Sequence, residues 1–257
     1  IVASDWSSDV CSSDLEIMAS NTVKVPEKGK TQFVAHRGVS GLECENTAAA
    51  FIAAGNRTYY GVETDIWRTS DGKFLCNHDG RTGRICDVDL VIERSTFDGL
   101  RKLRLKDKDG ESDRAELIIP TPHEYKKICQ KYEKHAVPEL KSNFTEAEIK
   151  EILAFFSDYL DSTCFIAFNI ENLDLVKKLR PEQECQFLTG EWNDNLPEML
   201  SERKMGLDIH YGQLTEERIR ACHKKGVEVN CWTVDKPEEA EKLISWGIDY
   251  ITTNILE

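Results

Sequence analysis

Strand-like runs alternating with helical segments predict an α/β domain folded as a (β/α)8 TIM barrel with a small insertion after the second strand. Three observations carry the prediction. Eight strand-like runs are joined by segments of helical periodicity through short loops. One charged stretch after the second run breaks that rhythm, and 257 residues with 40% hydrophobic content can bury one large core. An open doubly wound sheet would share the alternation, but no GxGxxG follows the first run.

Residues 31–37 read as the first strand, 46–54 as a helix and 61–69 as the second strand. Asp71-Gly72 is a turn signal, so 73–78 is expected to fold back as a hairpin partner. From about 79 to 117 the pattern dissolves into charge, with 103–110 expected as an exposed excursion; this is the insertion. Thr121-Pro122-His123-Glu124 reads as a capping box with proline at the first helical position, opening a helix to about Lys131. Residues 136–141 form the third barrel strand. Thr145 to Glu148 opens a second capped helix, with Ile149, Ile152, Leu153, Phe156 and Leu160 at helical spacing. Strand and helix then alternate through 163–169 and 173–179, 185–189 and 196–203, 207–211 and 215–224, 228–234 and 237–246. Residues 250–253 make the eighth strand.

The opening residues are polar and repetitive (Ser7-Ser8-Asp9-Val10, then Ser12-Ser13-Asp14-Leu15) and lack the charge and apolar run of a secretion signal. They resemble a translated sequencing adapter. Residues 1–24 are therefore expected to be a non-native or disordered leader, and 25–257 the barrel. A net charge of −13 argues against a nucleic-acid partner and against electrostatic attraction to anionic lipid. No run of 18 apolar residues occurs, so no stable membrane insertion is expected. Nine cysteines, singly placed and without CxxC spacing, read as buried reduced thiols of a cytoplasmic protein. Nothing in the sequence fixes an oligomeric state.

The chemistry is concentrated at the ends of strands. Glu63 and Asp65 stand i, i+2 on a strand, so both leave the same face and aim two hard oxygen ligands at one point, as Mg2+ or Ca2+ requires. In a barrel the site forms at the C-terminal strand ends. His36, Glu63 with Asp65, Glu139 with Lys141, and Asn230 with Trp232 all fall at or near such ends.

These residues also carry a resemblance. Val34-Ala35-His36-Arg37-Gly38, Glu45-Asn46-Thr47, Glu63-Thr64-Asp65, Thr69-Ser70-Asp71-Gly72, His78-Asp79, Glu139-Leu140-Lys141, Trp232-Thr233-Val234 and the stretch from Gly247 to Asn254 resemble, in order, the motifs of the glycerophosphodiester phosphodiesterase family. The resemblance implies a barrel with an insertion after the second strand. It also implies metal-dependent hydrolysis of a glycerophosphodiester to glycerol 3-phosphate and an alcohol, the substrate's own hydroxyl attacking first to give a cyclic phosphate. Glu63, Asp65 and Glu139 would be the metal ligands for one divalent cation, Mg2+ or Ca2+. His36 and His78 would share the base and acid roles, Arg37 and Lys141 would cover phosphate charge, and Trp232 would wall the glycerol carbons. Two alternatives stay open: a lysophospholipase D-like phosphodiesterase using the same site, and a catalytically dead barrel that only binds phosphate esters.

Some positions depart from the family pattern. Cys44 replaces a proline before Glu-Asn-Thr, and Pro138 removes a ladder donor next to Glu139, which would displace the third carboxylate slightly. Residues 80–84, Gly-Arg-Thr-Gly-Arg, stand where the family has an apolar and threonine pattern in the substrate loop. Glu45 and Asn46 are expected to cap the first helix, with a place near the metal the alternative for Glu45. His123, His135, His210 and His223 are expected to be structural residues of helices and loops, without partners.

Overall fold

A computed structural model describes residues 21–257. Its elements in chain order are β1 (Gln32–Ala35), α1 (Ala48–Gly55), β2 (Gly61–Arg68), β3 (Phe74–Cys76), α2 (Phe97–Leu100), α3 (Pro122–Lys131), β4 (His135–Leu140), α4 (Glu146–Phe155) and β5 (Cys164–Ala167). There follow α5 (Ile170–Leu179), β6 (Glu184–Thr189), α6 (Leu196–Arg203), β7 (Gly206–His210), α7 (Glu216–Lys224), β8 (Val229–Trp232), α8 (Pro237–Ser245) and β9 (Tyr250–Thr253). Strands β1, β2 and β4 to β9 are all parallel to their barrel neighbours, and β1 pairs with both β9 and β2, which closes the sheet into an eight-stranded barrel. The hairpin partner is β3, antiparallel to β2 with Ile66 opposite Cys76 and Arg68 opposite Phe74.

The pleat sorts side chains. Outward positions such as Phe33, Ile66, Ala136, Phe165, Leu207, Cys231 and Ile251 pack with helix residues Phe51, Tyr125, Ile149, Leu173, Ile219 and Leu243 in the main core. Inward positions Val34, Val137, Cys164, Ile166 and Leu188 form a separate cluster inside the barrel, with Tyr60 and Trp232 against it. Each fully buried aliphatic or aromatic side chain contributes roughly 1.5–3 kcal/mol. The Tyr125 hydroxyl donates to Val62 O at 2.5 Å and accepts from Val137 N at 2.8 Å, joining α3 to β2 and β4.

Both expected capping boxes form, at Thr121 with Glu124 and at Thr145 with Glu148. Elsewhere the boundaries shift. Thr47, not Glu45 or Asn46, caps α1, its hydroxyl accepting from Ala50 N. Helix α4 stops at Phe155, and Leu160 begins a separate short turn. Pro138 does not break the register: Thr64 opposes it and Asp65 opposes Glu139 in the same ladder.

The insertion holds a small core of its own. Leu75, Ile85, Cys86, Ile92, Leu100, Leu105, Leu117 and Ile119 bury together with Cys44. The 103–110 excursion is thus not wholly exposed, because Leu105 anchors it in this cluster. Basic side chains from the insertion grip the β1–α1 loop: Lys108 Nζ donates to Ser40 O at 2.7 Å and Arg114 to Glu43 at 2.7 Å.

The expected leader lies outside the described residues for 1–20. Of its last four residues, Val23 donates to Ile255 O at 3.0 Å and accepts from Glu257 N at 2.7 Å. Among the described residues no helix is long and apolar enough to cross a membrane. Eight cysteines are buried as free thiols; Cys11 lies outside the described residues.

Candidate active site

Strand geometry brings the expected residues together at the C-terminal end of the barrel. Glu63 and Asp65 project inward from β2, and Glu139, in register with Asp65, projects from β4. One oxygen from each lies within 4.8 Å of one from each of the others, and all three side chains are buried. The displacement expected from Pro138 does not take Glu139 out of this cluster.

The protein around the triad orients two of its members. Arg37 N donates to Glu63 Oε2 at 2.7 Å. Asn46 Nδ2 donates to Asp65 Oδ2 at 2.8 Å while its Oδ1 accepts from the Thr64 hydroxyl at 2.7 Å. Both contacts depend on a tight β1–α1 loop in which Arg37 (φ 54°) and Asn46 (φ 52°) adopt left-handed backbone conformations. Gly38 follows at φ 77°, and a Cβ there would meet the Ala50 carbonyl carbon at 2.5 Å.

Cations face the triad without satisfying it. Lys141 Nζ lies 3.0 Å from Glu139 and 3.5 Å from Asp65 Oδ1; Arg37 Nε lies 3.9 Å from Asp65 Oδ2. Asp65 Oδ1 is nevertheless buried without a hydrogen-bond partner. Burial and mutual repulsion push the carboxyls of Glu63 and Glu139 above the usual range, whereas the charges of His78, Lys141 and Arg37 hold Asp65 below it despite its burial. Three hard oxygen donors, one of them orphaned, are a donor set that could hold a divalent cation.

The two histidines have different partners. His36 Nδ1 bonds Asn254 Oδ1 at 2.7 Å; burial, reinforced by Arg37, pushes its pKa down to about 3. His78 Nδ1 bonds Asp79 Oδ1 at 2.8 Å, and burial lowers its pKa too, against the opposing pull of Asp65. Trp232, at the end of β8, meets Phe168 and His210 edge-on at ring distances of 5.7 and 5.5 Å.

Two residues at the site, Arg84 and Asn254, carry no role that the sequence predicts. Arg84 forks onto Glu45 at 2.7 and 2.8 Å and reaches Asp79 at 2.6 Å, while Glu45 also accepts from Arg37 at 2.9 Å. The expected helix-capping Glu45 is thus a bridge between two arginines. Asn254 was legible as an inward position two residues beyond Thr252. Arg84 had no such signal, because it comes from the aperiodic insertion. Of the four other histidines, His123 lies in the first turn of α3, whereas three have partners: His135 on β4 lies 3.2 Å from Glu184, His223 on α7 lies 2.8 Å from Asp249, and His210, ending β7 against Trp232, accepts from Gly212 N at 3.2 Å.

Comparison with known proteins agrees with this geometry. Residues 36–257 match the glycerophosphoryl diester phosphodiesterase family. A glycerophosphodiester phosphodiesterase of Caldanaerobacter subterraneus is 30% identical over 88% of this chain and 94% of its own. A solved Oleispira antarctica phosphodiesterase, in complex with its product sn-glycerol-3-phosphate, superposes with a TM-score of 0.81 at 26% identity, covering 87% of this chain and 92% of the other. A glycerophosphodiester phosphodiesterase from Parabacteroides distasonis gives 0.74 at 28% identity over 89% and 94%. The closed barrel, the buried acidic triad at its mouth and these matches together place the chain, as an enzyme, in the glycerophosphoryl diester phosphodiesterase family.

Proposed function

We propose that the chain hydrolyses glycerophosphodiesters to glycerol 3-phosphate and an alcohol, with His36 as the first proton acceptor and His78 as the first proton donor. One observation carries the reading: two imidazoles, each tied at Nδ1 and without a hydrogen bond at Nε2 among the described residues, accompany a buried carboxylate triad flanked by Arg37 and Lys141. Glu63, Asp65 and Glu139 would hold Mg2+ or Ca2+, which when bound neutralises phosphate charge and polarises the phosphorus centre. The triad and the two cations that touch it sum to one negative charge, so a divalent ion turns the site positive toward a phosphodiester monoanion.

His36 stays neutral at working pH and can take the proton of the substrate's glycerol hydroxyl as that oxygen attacks phosphorus. The Asp79 hydrogen bond opposes the burial that lowers the His78 pKa, and His78 in its protonated form would protonate the departing alcohol oxygen. Reversal of the two roles opens the cyclic phosphate: His78 takes a proton from water and His36 returns one to the glycerol oxygen. Arg37 and Lys141 bind the nonbridging oxygens, Arg37 by its fork and Lys141 as a point charge. Trp232 walls the glycerol carbons.

The small-molecule substrate and a cytoplasmic setting fit the acidic surface and the eight buried free thiols. One observation favours a lysolipid substrate: Phe168, 48% exposed beside Trp232, gives the rim an apolar patch. The test is incubation with glycerophosphocholine, glycerophosphoethanolamine and a lysolipid, with metal or chelator, reading released alcohol. Turnover of the first two that chelator abolishes is expected. Preference for the lysolipid selects the second substrate class, and no turnover with metal present overturns the proposal.

A further inference from the structure

We propose that Asp235 is a positioning residue for this reaction, acting through Asn254 to fix which nitrogen of His36 carries the proton. The inference rests on the base role proposed for His36. Asp235 lies in the β8–α8 loop, Asn254 follows β9 and His36 follows β1, so three adjacent strand ends meet here.

A carboxylate can only accept hydrogen bonds. Asp235 Oδ1 accepts from the Thr253 hydroxyl at 3.0 Å and from Asn254 N at 2.8 Å, and its Oδ2 accepts from Asn254 Nδ2 at 2.6 Å. The Asn254 amide is thereby oriented with its NH2 toward Asp235 and its oxygen away. That oxygen faces His36 Nδ1 at 2.7 Å and the Ser40 hydroxyl at 2.7 Å. An amide oxygen cannot donate, so His36 Nδ1 must carry the hydrogen and Nε2 must present its lone pair. The main chain fixes the ring's approach, because His36 N donates to Thr253 O at 2.8 Å.

Were the Asn254 amide turned over, its NH2 would face His36 Nδ1, the proton would move to Nε2, and the base would be lost. Asp235 is the group that sets the direction. A neutral amide between Asp235 and His36 also keeps the carboxylate from stabilising an imidazolium there, unlike the direct His78–Asp79 contact. The fold thus builds one histidine for accepting a proton and one for carrying it.

Two measurements test the proposal. The first is the long-range 1H–15N spectrum of protein labelled in its histidines, with His36 signals identified by their loss in His36→Ala. The second is kcat and KM on glycerophosphocholine. Wild type is expected to show the Nδ1–H form of His36. Asp235→Asn is expected to mix the two tautomers and lower kcat about tenfold or more, with KM within about twofold. The double variant Asp235→Asn/Asn254→Asp moves the carboxylate next to His36, where it again accepts from Nδ1 while the amide at 235 donates to it. It is expected to restore the Nδ1–H form, while the adjacent carboxylate also favours an imidazolium and limits the recovery of kcat. An Nε2–H form in wild type, an unchanged kcat in Asp235→Asn, or a double variant whose His36 does not return to the Nδ1–H form overturns the proposal. The wild-type spectrum decides even if the single variant fails to fold. A His36→Ala variant of undiminished kcat would instead overturn the base assignment while leaving the tautomer result standing.

Discussion

Binding of a divalent cation should stabilise this protein, and neutralising one of its ligands should abolish that gain while making the metal-free protein no weaker. Glu63, Asp65 and Glu139 bring oxygens within 4.8 Å of one another in a buried site. At that separation each pair of like charges repels by about 3–4 kcal/mol at an effective dielectric of about 20. Lys141 and Arg37 offset part of this, and Glu63 and Glu139 respond with raised pKa values. An ion present at about 100 times its Kd stabilises the folded state by about 2.7 kcal/mol, or roughly 5–10 °C in Tm for a chain of this size. Glu139→Gln keeps the shape and a hydrogen-bonding atom for Lys141 but removes one of the repelling charges. Its metal-free Tm should equal or exceed that of wild type, against the usual direction of buried substitutions. Thermal unfolding by circular dichroism, with chelator and with Mg2+ or Ca2+, measures all four states. A Glu139→Gln protein shifted by metal as much as wild type, or a wild type shifted by neither ion, would refute the reasoning.

The raised carboxyls of Glu63 and Glu139 favour the protonated folded state, so their contribution is complete below the usual carboxylate range and is lost as pH rises through their folded values. Metal-free protein should therefore lose Tm as pH rises past about 7, above the range in which the lowered pKa values of His36 and His78 add stability with rising pH, and saturating metal should flatten that slope. Arg84→Ala removes a bridge whose side chain is 43% exposed, so its stability cost should be only about 1 kcal/mol. The same change should lower kcat more than a Tm shift of that size explains, and a cycle with Asp79→Asn should be non-additive by at least about 0.5 kcal/mol of activation free energy. Burial pushes the thiols of Cys44, Cys129 and Cys185 up to about 12. Iodoacetamide at pH 8 should label them more than about a hundredfold more slowly in folded than in unfolded protein, read by peptide mass spectrometry. Gly38→Ala places a Cβ against the Ala50 backbone at a positive φ and should cost several kcal/mol, read as a lower denaturant midpoint.

The barrel was legible from the alternation of strands and helices, and part of the candidate site from the two-residue repeat of its strands, whereas the roles expected of His36, His78 and Arg37 came with the family resemblance. Val34, Glu63 and Asp65, Val137 and Glu139, Asn230 and Trp232, and Thr252 lie on inward positions of parallel strands, and His36, Lys141 and Asn254 continue the same alternation just past the ends of β1, β4 and β9. A strand fixes the direction of its side chains locally, so those residues could be assigned to the barrel mouth without knowing the register between strands. Helix starts at Thr121 and Thr145 were legible for the same reason, since a capping box is a contact within four residues. The charged excursion is less exposed than its composition predicts because burial in the insertion depends on packing between distant segments.

What orients the site depends on contacts between separate segments of the chain. His36 meets Asn254 across 218 positions, Asp65 meets Asn46 across 19, and Arg84 meets Glu45 across 39. These partners sit in loops, where no periodicity fixes a side chain's direction, and their hydrogen bonds exist because barrel closure sets β1 beside both β2 and β9. The strand pattern names the groups that can bind and react. Closure of the sheet selects which nitrogen of His36 holds a proton and which oxygen of Asp65 is left unpaired.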